Sequence, residues 1–67
     1  MSKDNRLIDL VKNGTKLLVF GDFGYKYFLV FEDGKFFIEK YLENEFIDFS
    51  EIDEKKAYLA LHIFTAV

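Results

Sequence analysis

Residues 25–42 read YKYFLVFEDGKFFIEKYL, and this stretch decides the fold. Two runs rich in aromatic and branched side chains, which favour strands, flank the dipeptide Asp33-Gly34. This dipeptide readily adopts the two positive φ angles of a type I′ turn, the strongest local signal for a β-hairpin. A two-residue turn places Glu32 opposite Lys35, and the pairing then continues through Phe31–Phe36, Val30–Phe37, Leu29–Ile38 and Phe28–Glu39.

The predicted hairpin has two unlike faces, because successive side chains of a strand point to opposite sides. The first face is apolar except for Lys40 and is predicted to form the core; it carries Tyr25, Tyr27, Leu29, Phe31, Phe36, Ile38 and Leu42. The second face carries Phe28, Val30, Phe37 and Tyr41 among Lys26, Glu32, Lys35 and Glu39. This half-apolar face is either covered by the N-terminal helix or exposed as an interface, and the sequence leaves both readings open.

Short elements are predicted before and after the hairpin. Residues 4–12 form a helix with one apolar side, and Asn13-Gly14 ends it. Residues 16–20 form a first strand, and the GDFG segment at 21–24 turns the chain into the hairpin. Asn44 favours a turn at residues 43–45, followed by an edge strand at 45–49. The alternative is one long strand with a bulge near residue 44.

The C-terminal segment is predicted to be a helix that Ser50 caps. Asp53 then occupies the capping-box position three residues later. On a helical wheel His62 falls on the polar side, and the apolar side is formed by Ile52, Leu59, Ala60, Ile63 and Phe64. A strand that alternates through Leu59 and Leu61 is the alternative.

These elements predict a single α+β domain over residues 1–67. We expect a small antiparallel β-meander of three or four strands, with a short N-terminal helix and a C-terminal helix packed on the sheet.

The composition argues against several classes of protein. The chain has no Cys and one His, which disfavours disulfides and a structural zinc site. No motif joins a nucleophile to a base, so we expect no enzymatic activity, no cofactor and no metal. The N-terminus lacks the apolar run of a secretory signal, and no stretch reaches the roughly 20 apolar residues of a membrane span. A cytoplasmic location and no membrane partner are therefore expected.

The net charge of −3 is unevenly distributed along the chain. Residues 32–54 hold nine acidic and two basic side chains, whereas residues 1–31 hold three acidic and five basic ones. A field of this sign disfavours a nucleic acid as partner and favours a basic surface.

The half-apolar face and the acidic segment together predict a small acidic protein-interaction module. It would dock on a larger protein with a basic or partly apolar surface, through Phe28, Phe37, Glu39, Tyr41, Glu43, Glu45 and Asp48. In size and acidity the chain resembles phage-type inhibitors of host enzymes, with which it shares no motif. That resemblance implies a viral inhibitor that blocks an enzyme or a nucleic-acid-binding protein.

The alternative function belongs to another class. The second face of the hairpin can also pair across a two-fold axis, which predicts a homo-oligomer, a dimer in the simplest case. A small nucleotide-like ligand would then bind between subunits, held by Lys26, Tyr27 and Tyr41.

Overall fold

The computed structural model describes residues 3–65, and the side chains of residues 5–62. In chain order the elements are α1 (Lys3–Lys12), β1 (Leu17–Asp22), β2 (Tyr25–Glu32), β3 (Lys35–Leu42), β4 (Glu45–Ile52) and α2 (Glu54–Thr65). The four strands pair in sequence order in one antiparallel sheet. The predicted α+β meander is confirmed, in its four-stranded form.

Three two-residue turns join the strands, and both residues of each turn have positive φ. The angles are 50° and 83° at Phe23-Gly24, 53° and 77° at Asp33-Gly34, and 49° and 74° at Glu43-Asn44. Turns of this type match the right-handed twist of the strands that they connect. The predicted register of the β2–β3 hairpin is confirmed from Glu32↔Lys35 to Phe28↔Glu39. The turn at Glu43-Asn44 excludes the single long strand.

Helix α1 ends at the predicted glycine. Gly14 has φ of 104°, its N–H donates to the carbonyl of Val11 at 3.0 Å, and the N–H of Thr15 donates to the carbonyl of Leu10 at 3.1 Å. These are the two hydrogen bonds of a Schellman motif, which satisfies carbonyls that the helix end leaves without partners.

Both helices pack on the first face of the sheet. The buried core draws on α1, on three strands and on α2, and consists of Ile8, Val11, Val19, Leu29, Phe36, Ala57 and Leu61. Tyr27, Phe31 and Ile38 are partly buried against it, as the hairpin pattern predicts. Since α1 lies beside α2, neither helix covers the second face.

Two details of the C-terminal helix were predicted wrongly. Ser50 does not cap α2: it lies within β4 opposite Ile38, because the ladder with β3 continues as far as Ile52. Asp53 caps the helix instead, its Oδ1 accepting a hydrogen bond from the N–H of Lys56 at 2.8 Å.

The buried side of α2 also differs from the predicted one. Ala57 and Leu61 are fully buried, whereas Leu59 is 53% exposed. The small side chain of Ala57 permits a close approach of α2 to the sheet and to α1, so the line through residues 57 and 61 faces inward. His62 is exposed, as predicted, and the side chains of Ile63 and Phe64 lie outside the described residues.

Within the described residues, neither α1 nor α2 has the length and the apolarity that a bilayer span requires.

Candidate interaction surface

The sheet surface opposite the two helices is called the open face here. Strand alternation places on it the second set of hairpin side chains and, from the neighbouring strands, Leu18, Phe46, Phe49 and Glu51. All eight residues of β4 except Ile52 are exposed, and β4 ends the sheet on one side. The open face is therefore a broad surface that no described element of the chain covers.

Five rings on the open face touch one another in series and form the aromatic cluster. Ring centroids are 5.3 Å apart between Phe28 and Tyr41, 5.6 Å between Tyr41 and Phe46, 6.3 Å between Phe46 and Phe49, and 5.8 Å between Phe49 and Phe37. Such contacts stabilise by about 0.5–1.5 kcal/mol per pair beyond the area they bury. The cluster spans β2, β3 and β4, yet Phe46 and Phe49 remain 52% and 57% exposed.

Phe46 and Phe49 were missed as site residues by sequence reasoning, and a bulge explains why. Residues three apart in a regular strand point to opposite faces. In β4 the register shifts between the partners Lys40 and Tyr41, so that Phe46 pairs with Tyr41 and Phe49 with Glu39. The extra residue brings both phenylalanines to the open face, which strict alternation cannot predict.

A closed set of polar contacts borders the aromatic cluster. The Lys16 Nζ lies 3.0 Å from Glu39 Oε1 and donates to the Tyr41 hydroxyl at 3.2 Å, and that hydroxyl donates to Glu39 at 3.1 Å. The same Nζ stands 5.7 Å from the centroid of the Tyr41 ring. The hydrogen bonds to Glu39 and then to Tyr41 hold the pKa of Lys16 above its usual value of 10.5.

The charges of the open face balance. It carries three lysines, Lys16, Lys26 and Lys35, and three glutamates, Glu32, Glu39 and Glu51. Two of the lysines make ion pairs with glutamates of this face, Lys16 with Glu39 at 3.0 Å and Lys35 with Glu51 at 3.8 Å. The acidic excess of the chain therefore lies elsewhere.

That excess follows β4 and its flanking turns. Residues 43–54 contain six carboxylates and no Lys or Arg. Of the predicted acidic site residues, Glu43 lies in the β3–β4 turn, whereas Glu45 pairs with Leu42 and Asp48 with Lys40. This register places Glu45 and Asp48 on the side of the helices, apart from the aromatic cluster. Glu43, Glu45 and Asp48 are called the acidic edge.

The other predicted partner-binding residues come together. Phe28, Phe37 and Tyr41 belong to the aromatic cluster, and Glu39 lies among them on β3. Of the three residues predicted for a small ligand, Lys26 and Tyr41 pair across β2 and β3 on the open face. Tyr27 lies on the opposite face, with its ring 5.7 Å from that of Phe20.

A concavity of the open face lies between β2 and β4. It has a volume of about 240 Å³ and is lined by Glu32, Phe37, Glu39, Phe46 and Phe49. This concavity is called the notch. Among the described residues, no group of three or more His, Cys, Asp or Glu side chains is placed to hold a metal ion.

Comparison with protein-family models, with curated proteins and with solved structures finds no match for this chain. Fold and surface define a small α+β domain with one uncovered, aromatic sheet face.

Proposed function

We propose that this protein is a small protein-interaction module whose open face docks on a basic, partly apolar surface of a larger protein. The observation that carries the proposal is the uncovered aromatic cluster, in which Phe46 and Phe49 keep more than half of their surface in water. Contiguous aromatic surface of this kind is enriched in protein interfaces and is rare on free surfaces.

The charge pattern supports a basic partner. The open face is neutral, and the acidic edge runs beside it along β4. An apolar centre with charge at its margin is the usual arrangement of an interface, in which the margin raises the association rate and selects the partner. Occupying a basic site of an enzyme or of a nucleic-acid-binding protein, and so inhibiting it, is the role that such a module would fill.

The test is site-specific photocrosslinking with two matched variants. Benzoylphenylalanine replaces Phe49 on the open face or Leu59 on α2, which are similarly exposed at 57% and 53%. In an extract of the organism that carries the gene, we expect a crosslinked product of defined mass from position 49 and none from position 59.

The same experiment separates the two parts of the interface. Phe46→Ala should abolish the product, because it removes the ring next to the crosslinker. Reversal of Glu43, Glu45 and Asp48 to Lys should weaken capture strongly, and undiminished capture would refute the electrostatic part. Equal products from positions 49 and 59 would refute the open face as the docking surface.

A second candidate is the homo-oligomer that holds a small ligand between subunits. The balanced charges of the open face favour it, since two neutral faces stack without net repulsion. Native mass spectrometry tests it: a dimer carrying extra mass would support this candidate, and a bare monomer would refute it. A crosslink from position 49 at twice the mass of the chain would point the same way.

A further inference from the structure

We propose that the notch binds a cationic side chain, an arginine or a lysine, of the partner protein. The cation would lie against the rings of Phe37, Phe46 and Phe49 and beside the carboxylates of Glu32 and Glu39. The inference rests on the proposed function, because it names the group by which a basic partner is anchored.

The three rings that line the notch differ in orientation. Phe46 and Phe49 are nearly parallel at 28°, whereas Phe37 is inclined to Phe49 by 69°. The negative face of an aromatic ring attracts a cation that comes within about 6 Å of its centroid. Three rings that line one concavity give an elongated cationic side chain contacts for its methylene groups as well as for its charge.

The carboxylates of the notch select the sign of the occupant. Glu39 already forms an ion pair with Lys16, whereas Glu32 makes no ion pair with a described side chain. An apolar occupant would exclude water from Glu32 without giving it a partner, which is costly for a charged group. The residues that line the notch include two carboxylates and no lysine or arginine, so a cation is the occupant that satisfies both the rings and the charge.

Lysines of this chain already lie over aromatic rings, and one of them also pairs with a carboxylate. Lys16 stands over Tyr41 while it binds Glu39, and Lys40 lies 4.7 Å from the ring centroid of Tyr25. In the described part of the chain, lysines stand over four rings, and none of these rings belongs to the notch. The notch thus offers rings and a carboxylate to a cation that the chain does not supply.

The probe is a blocked Gly-Arg-Gly peptide, and its control is Gly-citrulline-Gly, which has the same shape without the charge. Each is titrated into the full chain while the aromatic and backbone NMR signals are followed at constant ionic strength. We expect millimolar binding of the arginine peptide, with shifts centred on residues 32, 37, 39, 46 and 49. The citrulline peptide should bind about five- to tenfold more weakly.

Two variants of equal net charge test whether the arginine peptide binds at the notch. Glu32→Gln removes the unpaired carboxylate of the notch and should weaken the arginine peptide about threefold or more. Asp9→Asn removes an exposed carboxylate of α1, on the other side of the sheet, and should leave binding unchanged. Equal binding of both peptides, or an equal loss in both variants, would overturn the notch as a cation site.

The result is separable from the proposed function. If the arginine peptide fails to select the notch while position 49 still crosslinks a partner, the cation site is wrong and the interaction module stands. If the peptide selects the notch and no partner is crosslinked, the site stands and the proposed function fails.

Discussion

The two faces of the sheet are built from alternate residues of the same strands, yet they end in opposite environments. On the covered face, Leu29 and Phe36 are 0% and 4% exposed. On the open face, Phe46 and Phe49 are 52% and 57% exposed, although these side chains are just as apolar. The difference lies in the helices, since α1 and α2 both pack on the first face. Both faces of the sheet thus carry apolar side chains, but the two helices cover only one of them.

The open face is nevertheless organised. Val30 lies on it and is only 8% exposed, although it does not belong to the core under the helices. Its pairing partner is Phe37, whose ring contacts Phe49, so side chains of the open face rather than the helices bury this valine. A face with its own packed layer of rings presents a defined shape to a partner, which favours tight docking over non-specific adhesion.

The largest difference between the two faces is expected when one leucine on each face is shortened to alanine. Leu29→Ala empties a fully buried site and should cost about 2–5 kcal/mol of unfolding free energy. Leu18→Ala alters the open face, where the side chain is 39% exposed, and should cost less than about 1 kcal/mol. Urea denaturation measures both. A domain of this length is stable by only about 3–10 kcal/mol, so Leu29→Ala removes a large part of the total.

The same pair of changes on α2 is the control. Leu61→Ala should behave like Leu29→Ala because Leu61 is fully buried, and Leu59→Ala like Leu18→Ala. A loss at Leu18 as large as that at Leu29 would mean that the open face is buried in solution, as in a stable oligomer.

A smaller change in the free energy of unfolding is expected at the junction between β4 and α2. Asp53→Ala removes the carboxylate that accepts from the N–H of Lys56 and should cost about 1 kcal/mol. Ser50→Ala should stay within about 0.5 kcal/mol, since Ser50 is an exposed strand residue. Thermal unfolding of the two variants measures the difference, and a larger loss in Ser50→Ala would contradict the observed helix start.

The central hairpin was predictable because its signals are local. Asp33-Gly34 sets the turn, the turn sets the register, and alternation then assigns both faces. The start of α2 was not predictable in the same way. Ser50 and Asp53 both qualify as caps by residue type, and only the length of the β3–β4 ladder, a tertiary property, decides between them.

The candidate site was predictable only in part, for two physical reasons. The site residues on the hairpin follow from strand alternation. Phe46 and Phe49 reach the open face through a bulge that no residue type in β4 predicts. The acidic residues were grouped with the rings because they are close in sequence. Register separates them, since Glu45 and Asp48 face the side of the helices.

The smallest expected effect concerns the polar border of the open face. Lys16 has a raised pKa because it bonds to Glu39 and to Tyr41, so its pairing stabilises the fold below pH 10.5 and is lost as the pH rises through the folded-state value. The contribution to stability is small, since the Lys16 side chain is 55% exposed and solvent screens the pair. Glu39→Gln should lower the pKa of Lys16 toward 10.5, which is measured from the pH dependence of the NMR signal of its ε-carbon. Glu51 lies on the same face but pairs with Lys35. Glu51→Gln therefore removes an equal charge and should leave the pKa of Lys16 unchanged. If both variants lower it alike, the general field of the face, rather than the bond between Lys16 and Glu39, holds the proton.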